Sequence, residues 1–119
     1  MHRRLALGAT AAALVAFAFP AGANAHNVSV EPRFGELGDV FVFKGKAWQP
    51  NRRVRWYYDE HNDGTFEQSG RLFTSRRGRF RFRWFGEDTF DTHRMCFKQF
   101  DTRFGRIYFK CRRFTLVPT

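Results

Sequence analysis

Arg79, Arg81 and Arg83 alternate with Phe80, Phe82 and Trp84 in the stretch "RRGRFRFRWF", residues 76–85. On an extended chain alternate side chains share a face, so the three guanidinium groups would stand about 6.7 Å apart in a line. Groups at that spacing can meet successive anions along a polymer through charge-assisted, bidentate hydrogen bonds. An RNA-binding strip would need aromatic residues at the third and fifth positions of a run that starts basic–glycine. After Arg77 and Gly78 those positions hold Arg79 and Arg81. No specific nucleic-acid recognition is therefore expected, and the arginines read either as a solvated basic strand face or as a polyanion-binding site.

Other reactive residue types are sparse. Asp59, His61, Asp63 and Gly64 in "DEHNDGTFEQSG" occupy positions one, three, five and six of a calcium-loop pattern, but position twelve is Gly70 where a bidentate glutamate is required. The stretch therefore reads as a hairpin turn, with "NDG" at Asn62–Gly64 supplying positive φ angles. His26 would become the first residue if a leader were cut after Ala25, and an amino-terminal histidine can chelate copper through its amine and imidazole. Such a site needs a second histidine, for which only His61 and His93 remain in the mature chain. His93 shares a strand face with Met95 and Phe97 and reads as a partly buried structural histidine. No serine lies in a nucleophile-elbow context, and the pairs Asp59/Glu60 and Glu87/Asp88 point to opposite faces if extended. The expectation is a non-catalytic protein with no cofactor; copper at His26 is the alternative.

Residues 1–25 have the layout of a secretory signal peptide. His2, Arg3 and Arg4 precede the apolar run Leu5–Phe19, and Pro20 and "AGANA" follow, allowing cleavage after Ala25 or after Ala23. The run has 15 residues, whereas a membrane span needs about 20. Cleavage after Ala25 leaves residues 26–119 as one small domain, and removal of Arg3 and Arg4 takes the formal charge from +10 to +8. So basic a domain suits anionic partners outside the cytoplasm, such as envelope or other extracellular polymers, with no transmembrane span once the leader is gone. The same charge also keeps a small aromatic-rich chain in solution, and a monomer is expected. Export places Cys96 and Cys111 in an oxidising compartment, where a disulfide is the default. Neither has a CxxC partner or a nearby histidine pair, which argues against zinc.

The elements that must position these residues are all extended. Alanine occurs once after residue 25, at Ala47, and no window has helical apolar spacing, whereas period-two runs recur between turn signals. Strands are expected at 27–30, 39–46, 54–59, about 71–75, the run ending at Phe85, 92–98 and 107–116. Phe41 with Phe43, Val54 with Trp56 and Tyr58, and Phe80 with Phe82 and Trp84 form the buried sides. The last strand changes its buried side between Cys111 and Phe114, as a bulge would allow. About seven short strands suggest an all-β, two-sheet antiparallel sandwich, with Cys96 facing Cys111 if the last two strands form a hairpin. Lys44 and Arg55 would extend the arginine face if their strands share its sheet.

From residue 28 onward, "VSVEPRFGELGDVFVFKGKAWQP" resembles the opening of bacterial immunoglobulin-like modules of the IPT/TIG kind. The resemblance rests on Val30, Pro32, Gly35, Gly38, Phe41, Phe43, Gly45, Trp48 and Pro50. It implies a single antiparallel immunoglobulin-like β-sandwich over residues 26–119, located in the cell envelope or secreted. It also implies a spacer, display or adhesion role with no catalytic motif.

Overall fold

A computed structural model describes residues 25–86 and 89–118. The leader assigned to residues 1–25 lies outside them but for Ala25, as do Glu87, Asp88 and Thr119. The described chain is all β. Its strands are β1 (Asn27–Glu31), β2 (Phe34–Gly35), β3 (Val40–Lys46), β4 (Arg53–Asp59), β5 (Gln68–Phe73), β6 (Phe80–Phe85), β7 (Thr92–Asp101) and β8 (Arg106–Leu116). They form a three-stranded sheet, β1-β3-β6, packed on a five-stranded sheet, β2-β8-β7-β4-β5. Pairing is antiparallel throughout except between β2 and β8. This is the β-sandwich that the alternating runs predict, with strands ordered as in an immunoglobulin-like sandwich.

The alternating residues form the core. Phe41, Phe43, Val54, Tyr58, Met95, Phe97, Phe114 and Leu116 are buried between the sheets, with Phe80 beside them and Trp56, Phe82 and Trp84 packed against their rim. So many rings pack closely only where backbone gives way. Gly45 faces Phe80 across the β3–β6 pair, and a Cβ at Gly45 would overlap that ring. Gly70 faces Trp56, and a Cβ there would come within 2.6 Å of the indole. Burying apolar area at about 25 cal/mol per Å² is the main favourable term, and filling those gaps would force the rings apart.

To the seven strands expected the structure adds a short eighth, because Phe34–Gly35, read as part of a glycine-bearing turn, pairs with Thr115–Leu116. Three finer expectations need correction. The strand expected at 71–75 lies at Gln68–Phe73, because it pairs with β4 from Tyr58↔Gln68 to Arg53↔Phe73. Asn62 and Gly64 do have positive φ, 53° and 90°, but they sit in a longer loop, 60–67, rather than in a tight turn. The bulge in the last strand is absent: β7 and β8 pair without interruption from Thr92↔Thr115 to Asp101↔Arg106. The burial change has another cause. Tyr108, Lys110, Arg112 and Phe114 share the inward side of β8, but the small sheet ends at β1. Lys110 and Arg112 thus overhang its edge and stay exposed.

Unbroken pairing sets Cys96 directly opposite Cys111, with Cα atoms 4.0 Å apart, and the two form a disulfide across the hairpin. Closing that 15-residue separation contributes about 3 kcal/mol in the chain-entropy account. The other edge of β8 is open. Thr115 donates its N–H away from β7, to Arg33 O at 2.8 Å, so the alternating residues Ile107, Phe109, Cys111 and Arg113 also turn their main-chain groups outward. No described strand pairs with them, and Arg112 donates its own guanidinium to Cys111 O at 2.7 Å.

A candidate polyanion-binding face

β6 carries Arg81 and Arg83 on its outward side while Phe80, Phe82 and Trp84 turn inward, and Arg79 precedes it. All three arginines are exposed. What surrounds them follows from the pairing. Arg81 stands directly opposite Lys44 on β3, which stands opposite Ser29 on β1. One step along the same face, Lys46 and Arg79 approach each other, and a shallow cleft of ≈480 Å³ is lined by Lys44, Lys46, Ser75, Arg79 and Arg81. Arg83 differs, because it faces Val42, which in turn faces Glu31. On this face the cations therefore gather as a quartet spanning two strands rather than as a line along one. Lys44 joins the arginines as the sequence allowed; Arg55 does not, since β4 belongs to the other sheet.

No acid answers this quartet. The ion pairs among the described residues are His26–Asp101, Arg94–Asp59 and Arg103–Asp101, none of which involves the outer face of the small sheet. Like charges directly opposite each other weaken a sheet by a few tenths of a kcal/mol.

The up-and-down course of the strands separates charge along the molecule. The connections 47–52, 74–79 and 102–105 at one end contain five arginines and no Asp or Glu. Among the described residues, every Asp and Glu except Asp101 lies in or beside the connections at the other end. Asp101 is buried and engaged. It accepts hydrogen bonds from Arg103 Nη2 and His26 Nε2, both at 2.7 Å. Burial pushes its carboxyl up, but the bonds from Arg103 and His26 outweigh this and hold it at about 2.

His26 is 0 % exposed. Its ring stacks on Tyr108 with centroids 3.6 Å apart and meets Trp48 edge-on, and its backbone N–H donates to Ala47 O at 2.9 Å. Burial lowers its pKa against the opposing pull of Asp101. With Nε2–H donating to Asp101, Nδ1 is left without a partner among the described residues. The two other described histidines lie at the far end. His61 is exposed in loop 60–67, and His93 is 1 % exposed with its ring nitrogens 2.6 and 2.9 Å from the carbonyl oxygens of Glu60 and Thr89. Neither is brought to His26, and no group of three His, Cys, Asp or Glu among the described residues is arranged to hold a metal.

The calcium-like stretch is closed by its own first residue. Asp59, 0 % exposed, accepts from the backbone N–H groups of Asp63 and Gly64 and from Arg94. Burial raises its pKa, but these donors lower it further, and the net shift is downward. Sequence reasoning missed Asp101 and the burial of His26. The only local sign was an acidic residue ahead of "TRFG", which also reads as an ordinary turn. No helix among the described residues is long and apolar enough to cross a membrane. No protein-family model matches the chain, and no curated protein sequence matches it.

Proposed function

We propose that this is an exported, non-catalytic binding module of the IPT/TIG-like immunoglobulin kind, which holds anionic envelope or extracellular polymers on the outer face of its small sheet. The observation that carries this reading is the quartet Lys44, Lys46, Arg79 and Arg81, with Lys44 set squarely against Arg81 and no acid paired to any of the four. An arrangement that weakens the sheet, at an end whose connections lack acids, is suited to an external polyanion that neutralises it. The non-catalytic reading is supported by the two buried carboxylates, Asp59 and Asp101. They sit at opposite ends, each tied to an arginine, and so are not placed to act as an acid–base pair.

Heparin chromatography tests the proposal. The triple variant R79Q/R81Q/R83Q should elute at distinctly lower salt than the parent, with a shallower dependence of binding on log salt. K44Q/K46Q should weaken retention similarly, and R83Q alone much less. Unchanged retention in both multiple variants would remove this face as the site.

A further inference from the structure

The outer face of the five-stranded sheet has a different makeup. Across its strands, near the cationic end, Phe73 stands opposite Arg53 and Phe100 opposite Ile107. In the next row Arg71, Arg55, Lys98 and Phe109 follow one another across β5, β4, β7 and β8. An antiparallel sheet face turned to water is normally polar. Here Phe73, Phe100, Ile107 and Phe109 are 65, 49, 63 and 45 % exposed. The two rows contain no acid. Arg53, Arg55, Arg71 and Lys98 form no ion pair among the described residues, although Arg71 and Lys98 both oppose Arg55 directly.

We propose that this face docks on an anionic lipid surface, its apolar side chains entering the headgroup–acyl boundary while the four cations meet lipid phosphates. Interfacial binding combines buried apolar area with attraction to anionic headgroups, and both are present here on one broad, shallow surface. The ≈390 Å³ depression between Arg53, Arg55, Lys98, Phe100 and Ile107 lies open to solvent, whereas a small-ligand site buries most of its ligand. Ile107, 63 % exposed, offers no π face on which a base could stack, whereas hydrocarbon accepts it as readily as phenylalanine. A second copy of the chain is a poor occupant too. Self-pairing of the face would bring the row Arg71, Arg55 and Lys98 against its own like. This site is separate from the quartet on the small sheet, and the two stand or fall independently.

The exported form, residues 26–119, should co-sediment with vesicles of phosphatidylcholine mixed with phosphatidylglycerol and not with phosphatidylcholine alone. F100S/I107S should lose about tenfold in vesicle partitioning while keeping heparin retention and an unchanged unfolding midpoint, since both side chains are exposed. R79Q/R81Q/R83Q should do the reverse. I107W gives a reading that does not depend on loss of binding: its emission should shift to the blue with phosphatidylglycerol vesicles only. The proposal is overturned if the chain ignores those vesicles, if F100S/I107S partitions like the parent, or if I107W shows no shift. It is also overturned if a single-stranded oligonucleotide binds the parent and shows the same dependence on Phe100 and Ile107.

Discussion

Each end of the sandwich buries one carboxylate beside an arginine, yet the two are held in different ways. Asp59 at the acid-rich end takes its remaining hydrogen bonds from main-chain amides of its own loop, those of Asp63 and Gly64. Asp101 at the cationic end takes one from His26, 75 residues away. The first arrangement is local and its backbone donors do not titrate. The second ties the residue ahead of β1 to the last hairpin and contains an imidazole whose pKa burial lowers. The same buried ion therefore closes a loop at one end and fastens the amino-terminal strand at the other.

The strongest way to break this comparison is to neutralise each acid in turn. Each oxygen of Asp101 takes two donors, Oδ1 from Arg103 N–H and Nε and Oδ2 from His26 and Arg103 Nη2, so D101N sets two donors against its NH2 in either orientation and should cost about 3 kcal/mol in urea unfolding. D59N loses one donor when its NH2 takes the Oδ1 side, where Asp63 N–H donates, keeps Gly64 N–H and Arg94 on the other oxygen, and should cost about 1 kcal/mol. Equal losses would show that the cross-chain tie is no more important than the loop.

Acid sharpens the contrast. A folded-state pKa of about 2 for Asp101 against 3.8 unfolded means stability present above pH 4 and lost as pH falls from there towards 2. The loss is on the order of 2 kcal/mol, and it should be absent from D101N. Asp59, also lowered, adds to the same acid limb. His26 works in a different window. Its folded pKa lies below 6.5, so the unfolded chain binds the extra proton first and stability falls as pH drops from 6.5 towards the folded value. H26Q should abolish that limb and, by removing one of the donors that hold Asp101 low, shrink the acid limb without abolishing it, because Arg103 remains. The smallest effect concerns the quartet: R81Q should raise stability by about 0.3 kcal/mol at low salt by relieving Lys44, with the gain vanishing in high salt.

Much of the architecture was legible in the sequence because sheet faces alternate with period two. The inward sides of β3, β4 and β6 and the facing of Cys96 and Cys111 follow from local spacing alone. What local spacing does not contain is partnership. Two residues of β2 are too few to show a period, and the assignment of Lys44 and Arg55 to different sheets depends on pairings between distant segments. The supposed bulge at Cys111–Phe114 was a sheet edge misread as a fault in register, since Lys110 and Arg112 are exposed for want of cover rather than turned around. The quartet was half visible: its arginines lie in one run, but Lys44 and Lys46 join them only through the β3–β6 register. His26 offered no local sign of burial, because Trp48, Asp101 and Tyr108, which enclose it, come from two other parts of the chain.

The open edge of β8 carries the means of its own isolation. A strand with outward-turned N–H and C=O groups is a template on which another chain can zip, and successive additions of that kind lead to fibres. A second copy aligned antiparallel on this edge would bring the stretch that holds Arg106, Lys110, Arg112 and Arg113 alongside the same cationic stretch of its neighbour, and Arg112 already occupies one of the carbonyls it would need. The arginine-rich hairpin that the disulfide staples is thus also what discourages the protein from polymerising through its longest strand.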